Sequence, residues 1–261
     1  LGSGTVVLDS TALTLSSGNF SGVLNNGTAT GSLVKTSAGL LTLSGNNGYT
    51  GTTNVNDGTL TLAAGGALTS AILGISTGAT LNALSGSSLA STTVLTADGL
   101  VNLFNSAVTL ETLLGSGTVV LDSTALTLSS GNFSGVLNNG TATGSLVKAG
   151  SSVLTLSGNN GYTGSTSVSG GTLTLASGGV LTSATLGVSS GATLNAQSGS
   201  SLASTTVLTA DGLVNLFNSA VTLETLLGSG TVVLDSTALT LSSGNFSGVL
   251  NNGTATGSLV K

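Results

Sequence analysis

The chain has 261 residues, 41 of them Gly, with 39% hydrophobic residues, only 4% charged residues and a net charge of −5. It contains no His, Cys, Pro, Met or Trp, which removes the Ser-His-Asp triad, thiolate chemistry, disulfides and His/Cys zinc sites. Three basic residues in all cannot furnish the footprint that holds a phosphate backbone, so no nucleic-acid partner is expected.

A mean hydropathy of +0.53 with so few charges is the opposite of a disordered composition. Ser, Thr, Gly or Asn breaks each apolar run well short of the ~18 residues a spanning helix needs. No direct membrane insertion of this segment is expected. The first residues show no basic stretch followed by an apolar one, and the chain opens in mid-pattern, so it reads as an internal piece of something longer.

The segment LGSGTVVLDSTALTLSSGNFSGVLNNGTATGSLVK at 1–35 recurs unchanged at 114–148 and 227–261, an offset of 113 residues each time. This divides the chain into 1–113, 114–226 and the start of a third copy at 227–261, expected to form one continuous solenoid. The two full copies differ at 15 positions, all between 36 and 84 of the first, among them Asn54 against Ser167, Asp57 against Gly170 and Leu84 against Gln197.

Within a copy the strands come in chain order as Gly followed by apolar alternation. They are Gly4-Thr5-Val6-Val7-Leu8, Gly22-Val23-Leu24, Gly39-Leu40-Leu41-Thr42-Leu43, Gly58-Thr59-Leu60-Thr61-Leu62, Gly78-Ala79-Thr80-Leu81 and Gly99-Leu100-Val101-Asn102-Leu103. Their spacings, closing on Gly117, are 18, 17, 19, 20, 21 and 18. Alternation with period two predicts strands with one buried face, and the Gly78 unit is out of step by one residue. A spacing near 19 is too short for a propeller blade and suits one coil of a parallel β-solenoid. The expectation is all-β, with about six coils of 17–21 residues per copy. At ~4.8 Å per coil, six coils rise ~29 Å and the chain ~65 Å. A series of β-sandwiches of about 113 residues is the alternative.

The stretch Leu43 to Leu62 and its copy Leu156 to Leu175 follow LSGxNxYTGxTxVxxGTLxL. This pattern resembles the passenger-associated transport repeat of bacterial autotransporters. The resemblance implies a right-handed parallel β-helix outside a Gram-negative cell. It also implies a segment that serves adhesion, autoaggregation or biofilm formation and is held at the outer membrane through regions beyond this chain.

Glycosidase chemistry needs two carboxyl groups ~5–9.5 Å apart. Asp57 and Asp98 lie at equivalent turns two coils apart, but Asp57 becomes Gly170 in the second copy, so turn roles are expected. Asp9, Glu111, Asp122, Glu224 and Asp235 read as solvated charges. Lys35, Lys148 and Lys261 are single charges that could pair with a carboxylate of a neighbouring coil or chain. Tyr49 and Tyr162 follow Asn-Gly in what reads as a turn, where a ring would stand exposed; packing over the adjacent coil with the hydroxyl in water is the favoured reading, and a surface contact is the alternative. Phe20 and Phe104 are expected in the core or at corners, and Asn26, Asn47 and Asn139 in Asn-Gly turns. An ice-binding face would need Thr-x-Thr at every coil, and the pairs do not recur so. No GGxGxDx calcium repeat is found. The reading is a non-enzymatic, structural and adhesive segment at the bacterial cell surface, with no catalytic, metal or cofactor residues. Its expected partners are further copies of itself, as in a filament, or surface polysaccharide. A polysaccharide-binding or polysaccharide-degrading β-helix is the alternative.

Overall fold

The computed structural model describes residues 2–104, 108–217 and 221–261. Two compact units are formed, Leu1–Leu126 with Gly140–Ala142, and Thr127–Asn139 with Thr143–Lys261. Each is all-β among the described residues, and its strand pairs are parallel.

In the first unit the chain runs repeatedly over three faces. On one face Ala12–Leu15, Ser32–Lys35, Thr52–Val55, Ile72–Ile75, Val94–Ala97 and Val108–Gly115 follow one another. The next face stacks Gly18–Phe20, Leu40–Leu43, Thr59–Leu62, Thr80–Ala83, Leu100–Leu103 and Thr118–Val120. The third carries the short strands Asn46–Asn47, Ala67–Leu68 and Ser88–Leu89. This is a parallel β-solenoid, as the coil spacing predicts.

The period-two alternation explains the core. Every second residue points inward, so in-register stacking turns single Leu residues into columns such as Leu41, Leu60, Leu81 and Val101. Each fully buried Leu or Val contributes about 1.5–3 kcal/mol relative to exposure. The outward residues of the same strands form Thr42, Thr61, Asn82 and Asn102. Asn102 Nδ2 donates to Asn82 Oδ1 at 2.8 Å, so the exterior column is tied by amide and hydroxyl groups rather than by charges.

The Gly78 unit resolves its apparent slip. Thr80 lies opposite Thr59 and Leu100, so Ala79 occupies the rung of Gly58 and Gly99. Gly78, at φ +84°, is one extra turn residue, and the face of Leu81 and Ala83 is kept. The second unit repeats the scheme. Val153–Leu156, Thr172–Leu175, Thr193–Ala196 and Leu213–Leu216 make one face, and Ser145–Lys148, Ser165–Val168, Thr185–Val188 and Val207–Ala210 another.

Candidate functional site

The transport-repeat stretches carry the densest polar chemistry, and it lies inside. Tyr49 and Tyr162 are each 0% exposed. The rings are packed inside, so the alternative of a surface contact is corrected, and so is the placing of the hydroxyls in water. Asn47, Tyr49 and Thr53 continue inward alternation through the corner, and the strand Asn46–Asn47 replaces the expected Asn-Gly turn. Tyr49 Oη lies 2.6 Å from Thr53 Oγ1, which in turn contacts Ser70 Oγ. Tyr162 Oη lies 2.6 Å from Thr166 Oγ1. Burial pushes the Tyr49 hydroxyl up to about 12 and raises that of Tyr162 further. Thr53 interrupts an otherwise leucine column, Leu33, Thr53, Leu73 and Leu95, because the buried phenol needs a partner there.

Asn47 ties three successive coils. Its Oδ1 accepts from Leu24 N at 3.1 Å, while Nδ2 donates to Gly45 O at 2.8 Å and Ala67 O at 3.1 Å. Asn160 makes the same three bonds to Leu137 N, Gly158 O and Val180 O.

Lys35 and Lys148, read as charges that could pair with a carboxylate of a neighbouring coil or chain, make their hydrogen bonds to main-chain carbonyls. Both are 0% exposed and stand in apolar columns. Each stem lies inside, and the ammonium reaches main-chain carbonyls at the turn. Lys35 Nζ donates to Thr36 O at 2.8 Å, Ser37 O at 2.6 Å and Asp57 O at 3.0 Å. Lys148 Nζ donates to Ala149 O, Gly150 O and Gly170 O at 2.5, 3.2 and 3.1 Å. Lost hydration lowers both lysine pKa values, and the Asp57 charge partly offsets this at Lys35. Lys148→Met would leave three carbonyls without their donor, and a loss of about 1–3 kcal/mol is expected. Native-state hydrogen exchange of the Ser165–Val168 amides measures it.

The aspartates are staples rather than free charges. Asp122 Oδ1 accepts from Thr141 N at 2.9 Å, Thr141 Oγ1 at 2.8 Å and Ala142 N at 3.1 Å. Asp9 holds Thr28 and Ala29 in the same way, and Asp235 holds Thr254 and Ala255. All three adopt positive φ, between 37° and 50°, a conformation Asp tolerates better than most residues. Asp122 and Asp235 are buried, which corrects their reading as solvated charges. The Thr hydroxyl bond, followed by main-chain N–H bonds, holds each carboxyl below its usual range. The folded state thus binds its proton less readily than the unfolded chain. Stability from these groups is full above the ordinary value of 3.8 and is lost as pH falls through the lower folded value. Asp122→Asn should shrink the acid-induced loss in an unfolding series taken from pH 6 downward.

Asp57 and Asp98 stand two rungs apart, since Thr59, Thr80 and Leu100 are successive partners. Asp57 Oδ1 accepts from Gly58 N at 2.7 Å, and Asp98 Oδ1 accepts from Ser116 N at 3.0 Å and Ser116 Oγ at 3.2 Å. Their carboxylates hold turns. Asp98 also borders an open groove of about 450 Å³ lined by Gly78, Ala79, Gly99 and Gly117. The second copy has its counterpart, about 430 Å³, at Gly191, Ala192, Asp211, Gly212 and Gly230. Sequence reasoning named these glycines as strand anchors and missed the groove; their recurrence opposite one another at successive rungs is the signal. Phe20 and Phe133 lie in the core, while Phe104 and Phe217 are half-buried. Among the described residues no group of three His, Cys, Asp or Glu could hold a metal ion.

The passenger-associated-transport-repeat family model matches residues 33–62 and 146–175. Each match covers the stretch that carries the buried lysine, asparagine and tyrosine described above. The Adhesin BmaC autotransporter of Brucella suis biovar 1 (strain 1330) is 33% identical over 177 residues, which is 66% of this chain and 4% of that protein. The chain therefore spans a small fraction of that relative's length. No solved structure matches. The two transport repeats, each folded within a parallel solenoid, together with that likeness, support an autotransporter passenger domain.

Proposed function

We propose that this chain is a non-enzymatic, surface-exposed segment of an extracellular adhesin, working through many weak and repeated contacts. The observation that carries the reading is the division of chemistry between inside and outside. The transport-repeat tyrosines, asparagines and lysines hold coils together from within. The exterior of the same strands is mostly Thr, Ser and Asn, with Leu40 and Val153 as exposed apolar exceptions. Likeness to a protein named as an adhesin supports the same reading. Contacts of this kind gain strength by number, because each linked site binds at high effective concentration. The partners are further copies of the chain or extended polysaccharide, for which the glycine-lined groove of each copy offers main-chain groups and a rim carboxylate.

The test displays arrays of one, two and four 113-residue copies on inert beads and measures bead–bead aggregation and retention on immobilised polysaccharides. The expected result is retention or aggregation that rises more steeply than copy number, with no loss of polysaccharide chain length. Retention independent of copy number, or chain cleavage, would overturn the proposal.

A further inference from the structure

We infer that the 113-residue copy winds five and two-thirds turns rather than six, so that each copy begins one face away from its predecessor. The inference stands on strand register and is independent of the adhesive reading.

In the first unit, Thr5–Val7 pairs with Val23–Asn25. Val23–Asn25 in turn carries the short Asn46–Asn47 strand, through Leu24 N to Asn47 Oδ1 and Gly48 N to Leu24 O. Copy one therefore opens on the short-strand face. Its exact sequence equivalent, Thr118–Val120, pairs instead with Leu100–Leu103, as Leu100↔Thr118, Val101↔Val119 and Asn102↔Val120. Copy two opens on the Leu-Thr-Leu face.

The second unit shows the same step by itself. Val136–Asn138 of copy two meets Asn159–Asn160, through Leu137 N to Asn160 Oδ1 and Gly161 N to Leu137 O. Val249–Asn251, the same three residues in copy three, pairs with Thr231–Val233, which pairs with Leu213–Leu216. Once more the equivalent strand has moved from the short-strand face to the Leu-Thr-Leu face.

The place where the step occurs is visible in the Gly spacings. From Gly4 to Gly22 is one full turn, and so is each step from Gly39 through Gly58, Ala79 and Gly99 to Gly117. The 17-residue step from Gly22 to Gly39 is different. Leu41–Leu43 stacks on Gly18–Phe20, not on Val23–Asn25. The chain goes there from the short-strand face across Ser32–Lys35 to the next face, two-thirds of a turn. Five whole turns and one of two-thirds make the copy.

Identical sequence therefore does not mean identical direction. In an array of these copies, any outward feature steps round by one face per copy. It returns to its first direction after three copies, 339 residues and seventeen turns. At ~4.8 Å per turn, a partner on one side meets the same feature every ~82 Å rather than every ~27 Å. A contact site of any chemistry is offered in three directions, which suits a network of partners rather than one flat neighbour.

The chain has no cysteine, so two introduced thiols report alone. In-register parallel neighbours bring Cα atoms within the ~4.4–6.8 Å that a disulfide spans. Asn19→Cys with Thr42→Cys, in-register neighbours across the two-thirds step, is expected to oxidise almost fully, read by mass of proteolytic fragments. Asn25→Cys with Thr42→Cys, the pair that a full turn from Gly22 to Gly39 would bring together, should stay at background. Asn132→Cys with Thr155→Cys, against Asn138→Cys with Thr155→Cys, repeats the test in the following copy if the first variants misfold by circular dichroism. Cross-linking of the Asn25 or Asn138 pair, equal cross-linking of both kinds, or of neither in folded protein, would overturn the inference.

Discussion

Replacing Tyr162 with Ala is expected to cost about 3–5 kcal/mol, the range for emptying a large buried aromatic site. The ring is wholly enclosed, and its loss leaves a cavity bounded by main chain that is fixed by in-register ladders on both sides. Thr166 Oγ1 also loses its partner. Tyr162→Phe separates the two effects: it keeps the packing and removes only the hydroxyl, for about 0.5–1.5 kcal/mol. Urea unfolding followed by hydrogen exchange in Ser165–Val168 and Thr185–Val188 gives both values. A solenoid can unfold coil by coil, so the local amides are the reading that matters.

The second large effect is steric. A Cβ on Gly158 would lie far inside the contact distance of the Gly135 carbonyl oxygen, and one on Gly45 meets Gly22 in the same way. The obstruction is backbone of the coil below, so no side chain can rotate to relieve it. Gly158→Ala is expected to exceed the ~1–3 kcal/mol usual for overpacking and to part the Val136–Asn138 and Asn159–Asn160 strands. Rapid exchange of the Gly161 amide, which bonds to Leu137 O, would show it. Gly187→Ala is the control, because nothing lies within 4 Å of its added Cβ, and near-neutral stability is expected there.

Much of this fold is legible in the residues. Period-two alternation such as Gly58-Thr59-Leu60-Thr61-Leu62 names the buried column directly, and the 17–21 spacing names the coil. The polar interior is not legible that way. Lys35 has the same place in its strand as Val55 in the next, and only the neighbouring turn, with its three inward carbonyls, makes a lysine fit there. Asn47-Gly48-Tyr49 carries the local marks of a turn, and the corner of a solenoid overrides them by presenting Asn47 and Tyr49 to the core. Asp122 finds its partners 19 and 20 residues later, one coil away, a distance no local pattern reports. The two-thirds step hides in the spacing of 17, which differs from a full turn of 18 by a single residue.

The central claim is that successive coils lie parallel and in register around one apolar column. Nuclear Overhauser contacts along Thr172–Leu175 in uniformly labelled chain test it most directly. The account predicts that this strand contacts both Val153–Leu156 and Thr193–Ala196, with Thr174 opposite Thr155 on one side and Asn195 on the other, in the evenly spaced, slanted pattern of parallel pairs. Close Hα–Hα contacts to a single antiparallel neighbour would contradict it.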